Sequence, residues 1–342
     1  MTDVRSPRPV HILTGYLGSG KTTLLSRLLR APALADTAVI INELGEVGLD
    51  HVLVDRGSEE DVVLLDSGCL CCALGNSLQE TLESLHYRRE RGELPPFARV
   101  VIETTGVADP GPIAATMALD SAIARHYRLG SIVTVVDAVH GEAQLARFAE
   151  ARRQVAMADR LLVTKGDLAD AATLARIDAA LAQRNPHAAR VAAVAGDISA
   201  AQVLVDAQAP QALRLLATAA RADDAHDGHA HAHGDDHAHA HLAGQDIVSM
   251  AIRLSAPLSW PRYAAWVQWM QRTFGDRLLR MKGAVRMADG EARALHAVMR
   301  LWNPPSSLSA LPAELGDGVV VLIAQDAPDA LLDEARRRLV ED

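Results

Sequence analysis

The run Gly15-Tyr16-Leu17-Gly18-Ser19-Gly20-Lys21-Thr22 decides how the first half of this chain folds. It follows an apolar stretch, 10–14, that predicts a buried strand, and it leads into 22–30, which predicts a helix. The run has every fixed position of the P-loop pattern. Its glycines let backbone amides curl around phosphate oxygens, and the following helix directs its positive end at the same anion. A glycine-rich turn with a solvated lysine is the plainer interpretation, but the strand–loop–helix context favours phosphate binding.

Two later motifs complete the expected nucleotide site. The apolar stretch 100–102 ends in Glu103, where an acid would hold the shell of a P-loop Mg²⁺ ion, and Gly106 would let the backbone approach the γ-phosphate. The stretch 161–163 precedes Thr164-Lys165-Gly166-Asp167, a variant of the Asn-Lys-x-Asp motif with which GTPases recognise guanine. A helix-capping acid and a surface Lys/Asp turn are the alternatives. Beside a P-loop, the two motifs favour a guanine nucleotide.

The predicted catalytic residues are Lys21, which places charge near the β- and γ-phosphates, Thr22, a Mg²⁺ ligand, and Glu103. The predicted ligands of GTP and Mg²⁺ are Gly15, Gly18, Ser19, Gly20, Lys21, Thr22, Thr23, Gly106, Thr164, Lys165 and Asp167.

All three cysteines of the chain, Cys69, Cys71 and Cys72, lie within four positions. Thiolates favour soft and borderline ions such as Zn²⁺ and Cu(I). Three sulfurs leave a tetrahedral shell incomplete, which suits a protein that must release its ion. Inert buried cysteines are the alternative, and they fit such tight clustering poorly.

The cysteines lie between the Glu103 strand and residues 42–50, which we interpret as a switch segment. In P-loop GTPases this part of the chain rearranges with the γ-phosphate, so a thiolate cluster here could change geometry on hydrolysis. Glu43 and Glu46 are candidate oxygen ligands, to the metal or to Mg²⁺. Solvated loop carboxylates are the alternative for both.

A second candidate metal element is the low-complexity segment 223–244. It is too polar to build a core, which predicts a flexible linker. Neutral imidazoles can coordinate metal ions at neutral pH. The alternating candidates are His229, His231, His233, His237, His239 and His241. We expect them to concentrate or buffer metal ions, and a simple solvated linker is the alternative.

Composition limits the class of protein. The net charge of −9 argues against a general nucleic-acid binder. Neither an apolar run of about 20 residues nor the apolar core of a signal peptide occurs, so we expect a cytoplasmic protein without membrane contact. At 342 residues, two domains are expected.

Apolar stretches alternate with helical ones up to about residue 222, which predicts an α/β domain with a mostly parallel sheet over 1–222. The expected strands are 10–14, 38–41, 62–65, 100–102, 132–136 and 161–163. The expected helices are 22–30, 77–91, 112–126 and 169–184. After the linker, 245–342 predicts a smaller α+β domain with strands 247–254, 278–287, 293–302 and 318–324 and helices 260–274 and 328–339.

In order along the chain, these motifs resemble those of the CobW family of GTP-dependent metallochaperones, relatives of the urease and hydrogenase accessory GTPases. The resemblance extends to Arg280-Met281-Lys282-Gly283, which is similar to a strand of that family's C-terminal domain. Two positions differ: Thr164 replaces the usual Asn, and Ile41 stands where some members carry an acid. The fourth metal ligand therefore stays open.

The resemblance implies a GTPase whose cysteine site binds Zn²⁺ or Co²⁺ and whose nucleotide state controls transfer to a client metalloenzyme or its apo-form. The resemblance does not decide the oligomeric state, and a homodimer is one possibility. Because an arginine finger and a Ras-like glutamine are not evident, slow intrinsic turnover is expected. The main alternative is a metal store or sensor in which nucleotide binding is structural. Redox regulation through the thiols is a weaker one, because a Cys-x-x-Cys spacing is lacking.

Overall fold

The computed structural model describes residues 7–29, 34, 36–42, 62–64, 70–73, 78–193, 198, 200–205 and 247–341. Of the predicted features, Glu43, Glu46, Cys69 and the histidine-rich segment lie outside these residues. The predicted domain boundaries near residues 222 and 245 also lie outside them, so the boundaries stay predictions.

The chain divides into two compact units. The first comprises Met1–Ala180 and Ala189–Ala207, and the second comprises Leu181–Ala188 and Gln208–Asp342.

The first unit is built on a sheet of eight described strands. In chain order they are β1 (Arg8–Thr14), β2 (Thr37–Asn42), β3 (Val62–Leu64), β4 (Leu70–Ala73), β5 (Arg99–Thr104), β6 (Tyr127–Asp137), β7 (Arg160–Thr164) and β8 (Ala189–Ala192). Their order across the sheet is β3-β4-β2-β5-β1-β6-β7-β8, and every pairing except β3 with β4 is parallel. The predicted mostly parallel sheet is confirmed.

Helices connect these strands because parallel neighbours need a crossover. The helices between the strands are α1 (Lys21–Leu29), α2 (Leu78–Glu90), α3 (Pro110–Leu119), α4 (Ser121–Ala124), α5 (Gly141–Arg147), α6 (Ala149–Met157) and α7 (Ala171–Arg184). The last residues of α7 belong to the second unit, and the short α8 (Ala200–Val203) follows β8. One buried cluster packs α1 against the sheet, with Leu24 and Leu28 on the helix and Leu13, Val101 and Val133 on β1, β5 and β6. The carboxyl ends of these central strands share one edge, the usual place for a ligand.

The predicted single helix over 112–126 is wrong in one respect. The structure has two helices, α3 and α4, with Asp120 between them in an extended conformation. The Asp120 carboxylate accepts hydrogen bonds from the backbone N–H groups of Ala122 and Ile123, so it caps a new helix. The sequence analysis also missed α5 and α6, which have no long apolar stripe.

The second unit contains an antiparallel sheet with the order β12-β11-β10-β14-β9, and β13 pairs with β11. The strands are β9 (Ile247–Arg253), β10 (Leu278–Arg286), β11 (Ala292–Val298), β12 (Leu301–Trp302), β13 (Ser306–Ser307) and β14 (Gly318–Gln325). Among its described residues, the unit has two long helices, α9 (Trp260–Thr273) and α10 (Asp329–Val340). Trp266 is buried and donates its Nε1–H to the carbonyl oxygen of Ala335 at 2.8 Å, which joins the helices. The predicted α+β C-terminal domain is confirmed.

Membrane-spanning helices are not found in the described part of the chain, where no helix combines the necessary length and apolar character.

A stacked pair of imidazoles joins α2 to the start of β6. The rings of His86 and His126 lie 3.5 Å apart between centroids at 17°. Burial, then the neighbouring His126 and Arg8, lowers the pKa of His86, with Glu90 opposing. Burial, then Arg8 and Arg125, lowers the pKa of His126, with Glu90 and Glu83 opposing. The folded protein therefore favours both neutral rings.

Acid is expected to destabilise the first unit through this pair. Because the folded pKa values lie below the unfolded one, the stabilisation is complete above about pH 6.5 and is lost as the pH falls below it. His126→Phe keeps a stacked ring that cannot titrate. Its unfolding midpoint in urea should fall less than that of the wild type between about pH 7.5 and pH 5, the range of histidine titration. Equal pH dependence of the two proteins would contradict this.

Candidate nucleotide-binding site

The phosphate loop lies between β1 and α1, as predicted. Gly15, Gly18 and Gly20 have φ angles of 145°, 75° and 92°, which glycine adopts most easily. They turn the backbone so that α1 begins at Lys21. The Lys21 ammonium is buried and donates to the carbonyl oxygens of Gly15 at 2.8 Å and Tyr16 at 3.5 Å. The lysine thus lies over the loop that it is predicted to serve.

Glu103 meets the phosphate loop at the sheet edge. It is paired in register with Leu13 and is fully buried. The Thr22 hydroxyl donates to Glu103 Oε1 at 2.7 Å. One residue later, the Thr104 hydroxyl donates to Thr14 Oγ1 at 2.9 Å, which fixes the ends of β5 and β1 together. Thr22 and Glu103, both predicted to serve the same metal ion, are therefore adjacent.

The predicted guanine motif is tied to the phosphate loop by two side chains. Thr164 Oγ1 donates to the carbonyl oxygen of Ser19 at 2.7 Å and to that of Val136 at 3.2 Å. Lys165 has a φ of 57° and donates from Nζ to the carbonyl oxygen of Gly18 at 2.7 Å. Thr164, which stands where Asn is usual, thus links the motif to the loop through its hydroxyl. Asp167 lies in the exposed turn that follows.

Asp137, at the end of β6, is a residue that the sequence analysis missed. Its buried carboxylate accepts from Lys165 Nζ at 2.7 Å and from the backbone N–H groups of Val139 and His140. Burial alone would raise the pKa of Asp137, but the Lys165 and backbone hydrogen bonds outweigh it and hold the pKa below its usual value. Asp137 stays charged and orients Lys165. Its sequence signal was the same as that of Glu103, an acid directly after an apolar strand.

The site fits a nucleoside triphosphate with Mg²⁺. A Cβ atom on Gly18 would have nothing within 4 Å, so the glycine-rich turn leaves room for phosphate oxygens next to backbone amides. Ser19 is buried, and its hydroxyl has no hydrogen-bond partner among the described residues. The hydroxyl of Thr22 and the carboxylate of Glu103 are hard oxygen donors, which Mg²⁺ prefers. Such an ion would neutralise charge on the phosphates.

The cysteine motif is described only in its backbone. Cys71 and Cys72 lie in β4, where they pair with Val39 and Ile40 of β2 and with Val63 and Val62 of β3. Across the described ranges of the chain, no group of three or more His, Cys, Asp or Glu side chains is placed to hold a metal ion.

A strand–P-loop–helix unit, a buried acid on the neighbouring strand and a lysine-bearing motif after β7 define a P-loop GTPase. The chain belongs to the CobW/HypB/UreG family: its nucleotide-binding domain model matches residues 9–192, and the cobalamin synthesis protein cobW C-terminal domain model matches residues 247–339.

Two similar proteins match the chain over different lengths. The zinc chaperone YjiA of Escherichia coli (strain K12) is 33% identical over 301 residues, which are 87% of this chain and 88% of YjiA. The zinc-regulated GTPase metalloprotein activator 1 of Schizosaccharomyces pombe is 40% identical over 168 residues, 47% of this chain and 40% of that protein.

Solved structures of YjiA share this fold. The crystal structure of the zinc-bound YjiA GTPase from E. coli matches with a TM-score of 0.71 at 28% identity, over 97% of this chain and 98% of that one. A zinc-bound triple mutant of YjiA, in which one glutamate and two cysteines are replaced by alanine, matches with a TM-score of 0.72 at 27% identity, over 98% and 100% of the chains.

Proposed function

We propose that this GTPase is a metallochaperone that binds Zn²⁺ or Co²⁺ through Cys69, Cys71 and Cys72 and releases the ion to a client metalloprotein under the control of its nucleotide. Lys21 and Thr22 bind the phosphates and Mg²⁺, Glu103 supports the Mg²⁺ shell, and Thr164, Lys165 and Asp167 hold the guanine base. The names of the similar proteins, zinc chaperones and a zinc-regulated GTPase metalloprotein activator, support the metal part of the proposal.

The position of the cysteine strand in the sheet carries the proposal. β2 lies between β4 and β5, and Ile40 is in register with both Cys72 and Ile102. Ile41 is likewise in register with Ala73 and Glu103. Two strand spacings of about 4.8 Å separate β4 from β5, so the backbone of Cys72 lies roughly 10 Å from that of Ile102, directly before Glu103. Only one strand, β2, therefore separates the strand that carries Cys71 and Cys72 from the strand that ends next to the proposed Mg²⁺ ion.

The test is whether the nucleotide changes the affinity for zinc. The experiment uses a variant that lacks the histidine-rich segment, residues 223–244. Its zinc affinity is measured by competition with a chelating dye, once in the presence of GDP and once in the presence of a non-hydrolysable GTP analogue. We expect the two affinities to differ about tenfold, within the usual range of coupling between sites. Cys71→Ala should abolish the difference.

Zinc binding alone is not a sufficient readout. The YjiA variant without two cysteines and a glutamate is still described as zinc-bound. A second control, Lys21→Ala, should abolish the nucleotide dependence while leaving the cysteines in place. Equal zinc affinity with both nucleotides, with several ions bound per chain in the full-length protein, would instead support a metal store.

A further inference from the structure

Gln154 on α6 is a buried amide that serves a distant loop. Its side chain is fully buried, and Nε2 donates to the carbonyl oxygens of Gly106 at 3.2 Å and of Ala108 at 2.9 Å. These carbonyls belong to the Gly106 loop, residues 105–109, which connects β5 with α3. One NH₂ group thus forms hydrogen bonds to the backbone on both sides of Val107, and we call this pair of bonds the clamp.

The direction of this amide is fixed by its partners. Carbonyl oxygens only accept hydrogen bonds, so the NH₂ group of Gln154 must face the loop. Its Oε1 has no hydrogen-bond partner among the described residues, although leaving a buried acceptor unsatisfied is unfavourable. Both donors of the side chain are therefore used on the Gly106 loop.

The Gly106 loop itself lies against the tip of the phosphate loop. A Cβ atom on Gly106 would lie 2.5 Å from Leu17 Cδ2 and 2.9 Å from Leu17 Cα. The backbone at Gly106 is therefore held in direct contact with the P-loop. A second tie lies nearby, because Arg153 of α6 forms an ion pair with Asp109 at 3.3 Å.

The helices that hold this loop also hold the phosphate loop. Gln144 of α5 donates to the carbonyl oxygen of Leu17 at 3.3 Å, and the rings of Tyr16 and Phe148 stack at 4.6 Å between centroids. The Thr134 hydroxyl donates to the carbonyl oxygen of Gln154 at 2.8 Å, which anchors α6 to β6. The α5–α6 pair is thus a common support for both loops.

We propose that Gln154 is a positioning residue for nucleotide discrimination: it preorganises the Gly106 loop against the P-loop so that the backbone of Gly106 meets the γ-phosphate. A loop that is already ordered loses less conformational entropy when the nucleotide binds. GDP has no γ-phosphate and gains nothing from this loop. The inference rests on the proposed function, which places GTP in this site.

Gln154→Met tests the proposal because methionine has a similar length and no donor. The dissociation constants of GDP and of a non-hydrolysable GTP analogue are measured with Mg²⁺. We expect about tenfold weaker binding of the analogue, from two lost hydrogen bonds, and little change for GDP. The turnover number for GTP should fall with the analogue affinity.

Thr134→Val is the matched control, because it removes a buried hydrogen bond to the same residue of α6 and leaves the clamp intact. It should lower the unfolding temperature without changing the ratio of the two dissociation constants. A ratio that is unchanged in Gln154→Met overturns the proposal. Should that variant not fold, Arg153→Met removes the second, partly exposed tie, and it should shift the ratio in the same direction. An unchanged ratio there would then overturn the proposal.

The proposed function is tested in the wild type, and the role of Gln154 is tested in Gln154→Met, so the failure of one can be told from the failure of the other. If the proposed function is wrong, the wild type itself lacks a nucleotide-dependent zinc affinity. If only the role of Gln154 is wrong, the wild type behaves as expected and the variant keeps its discrimination between GDP and the GTP analogue.

Discussion

Replacing Glu103 with glutamine is expected to lower GTP turnover on the order of 100-fold, which corresponds to about 2.7 kcal/mol of transition-state free energy. Glutamine has the same shape, and its amide oxygen can still accept the hydrogen bond that Thr22 donates at 2.7 Å. What it lacks is the negative charge beside the proposed Mg²⁺ ion. The measurement is single-turnover GTP hydrolysis over a range of Mg²⁺ concentrations.

The loss should be specific to the metal-dependent step. Nucleotide binding in the presence of EDTA should stay near the wild-type value, and the Mg²⁺ concentration for half-maximal turnover should rise. Glu150→Gln is the matched control. Glu150 is exposed in the first turn of α6, so this substitution removes the same charge at a position away from the site. Wild-type turnover in Glu103→Gln would show that Glu103 only accepts the Thr22 hydroxyl.

The core of the nucleotide site was predictable because parallel strands bring distant sequence to one edge. Lys21, Glu103 and Thr164 each directly follow an apolar strand or its loop. Once the strands pair in parallel, their carboxyl ends must meet. The observed bonds from Thr22 to Glu103 and from Thr164 to Ser19 follow from that topology.

The support of the site was not predictable in the same way. Gln154 lies in a short helix of mixed composition, and its partners are backbone carbonyls, which leave no trace in the sequence. Asp137 differs, because an acid after a strand is visible, but its role depends on Lys165 adopting a left-handed backbone conformation. Side-chain to backbone contacts over long separations need the fold before they can be assigned.

Gly15→Ala is expected to remove nucleotide binding and to destabilise the first unit. A Cβ atom at Gly15 would lie 2.3 Å from the carbonyl oxygen and 3.0 Å from the nitrogen of Val135, and 2.9 Å from Ser19 Oγ. Val135 belongs to β6, which pairs with β1, so its backbone cannot move away without breaking the central ladder. Overpacking and the φ of 145° together should cost about 2–5 kcal/mol.

Gly18→Ala is the matched control in the same loop. Gly18 also has a positive φ, 75°, but a Cβ atom there would have nothing within 4 Å. Its cost is limited to the left-handed conformation, about 1–2 kcal/mol. Denaturant unfolding and titration with GDP should therefore place Gly18→Ala between the wild type and Gly15→Ala. If the two variants lost equal stability and affinity, backbone strain alone would explain the glycines, and the close approach of the phosphate loop to β6 would not matter for binding.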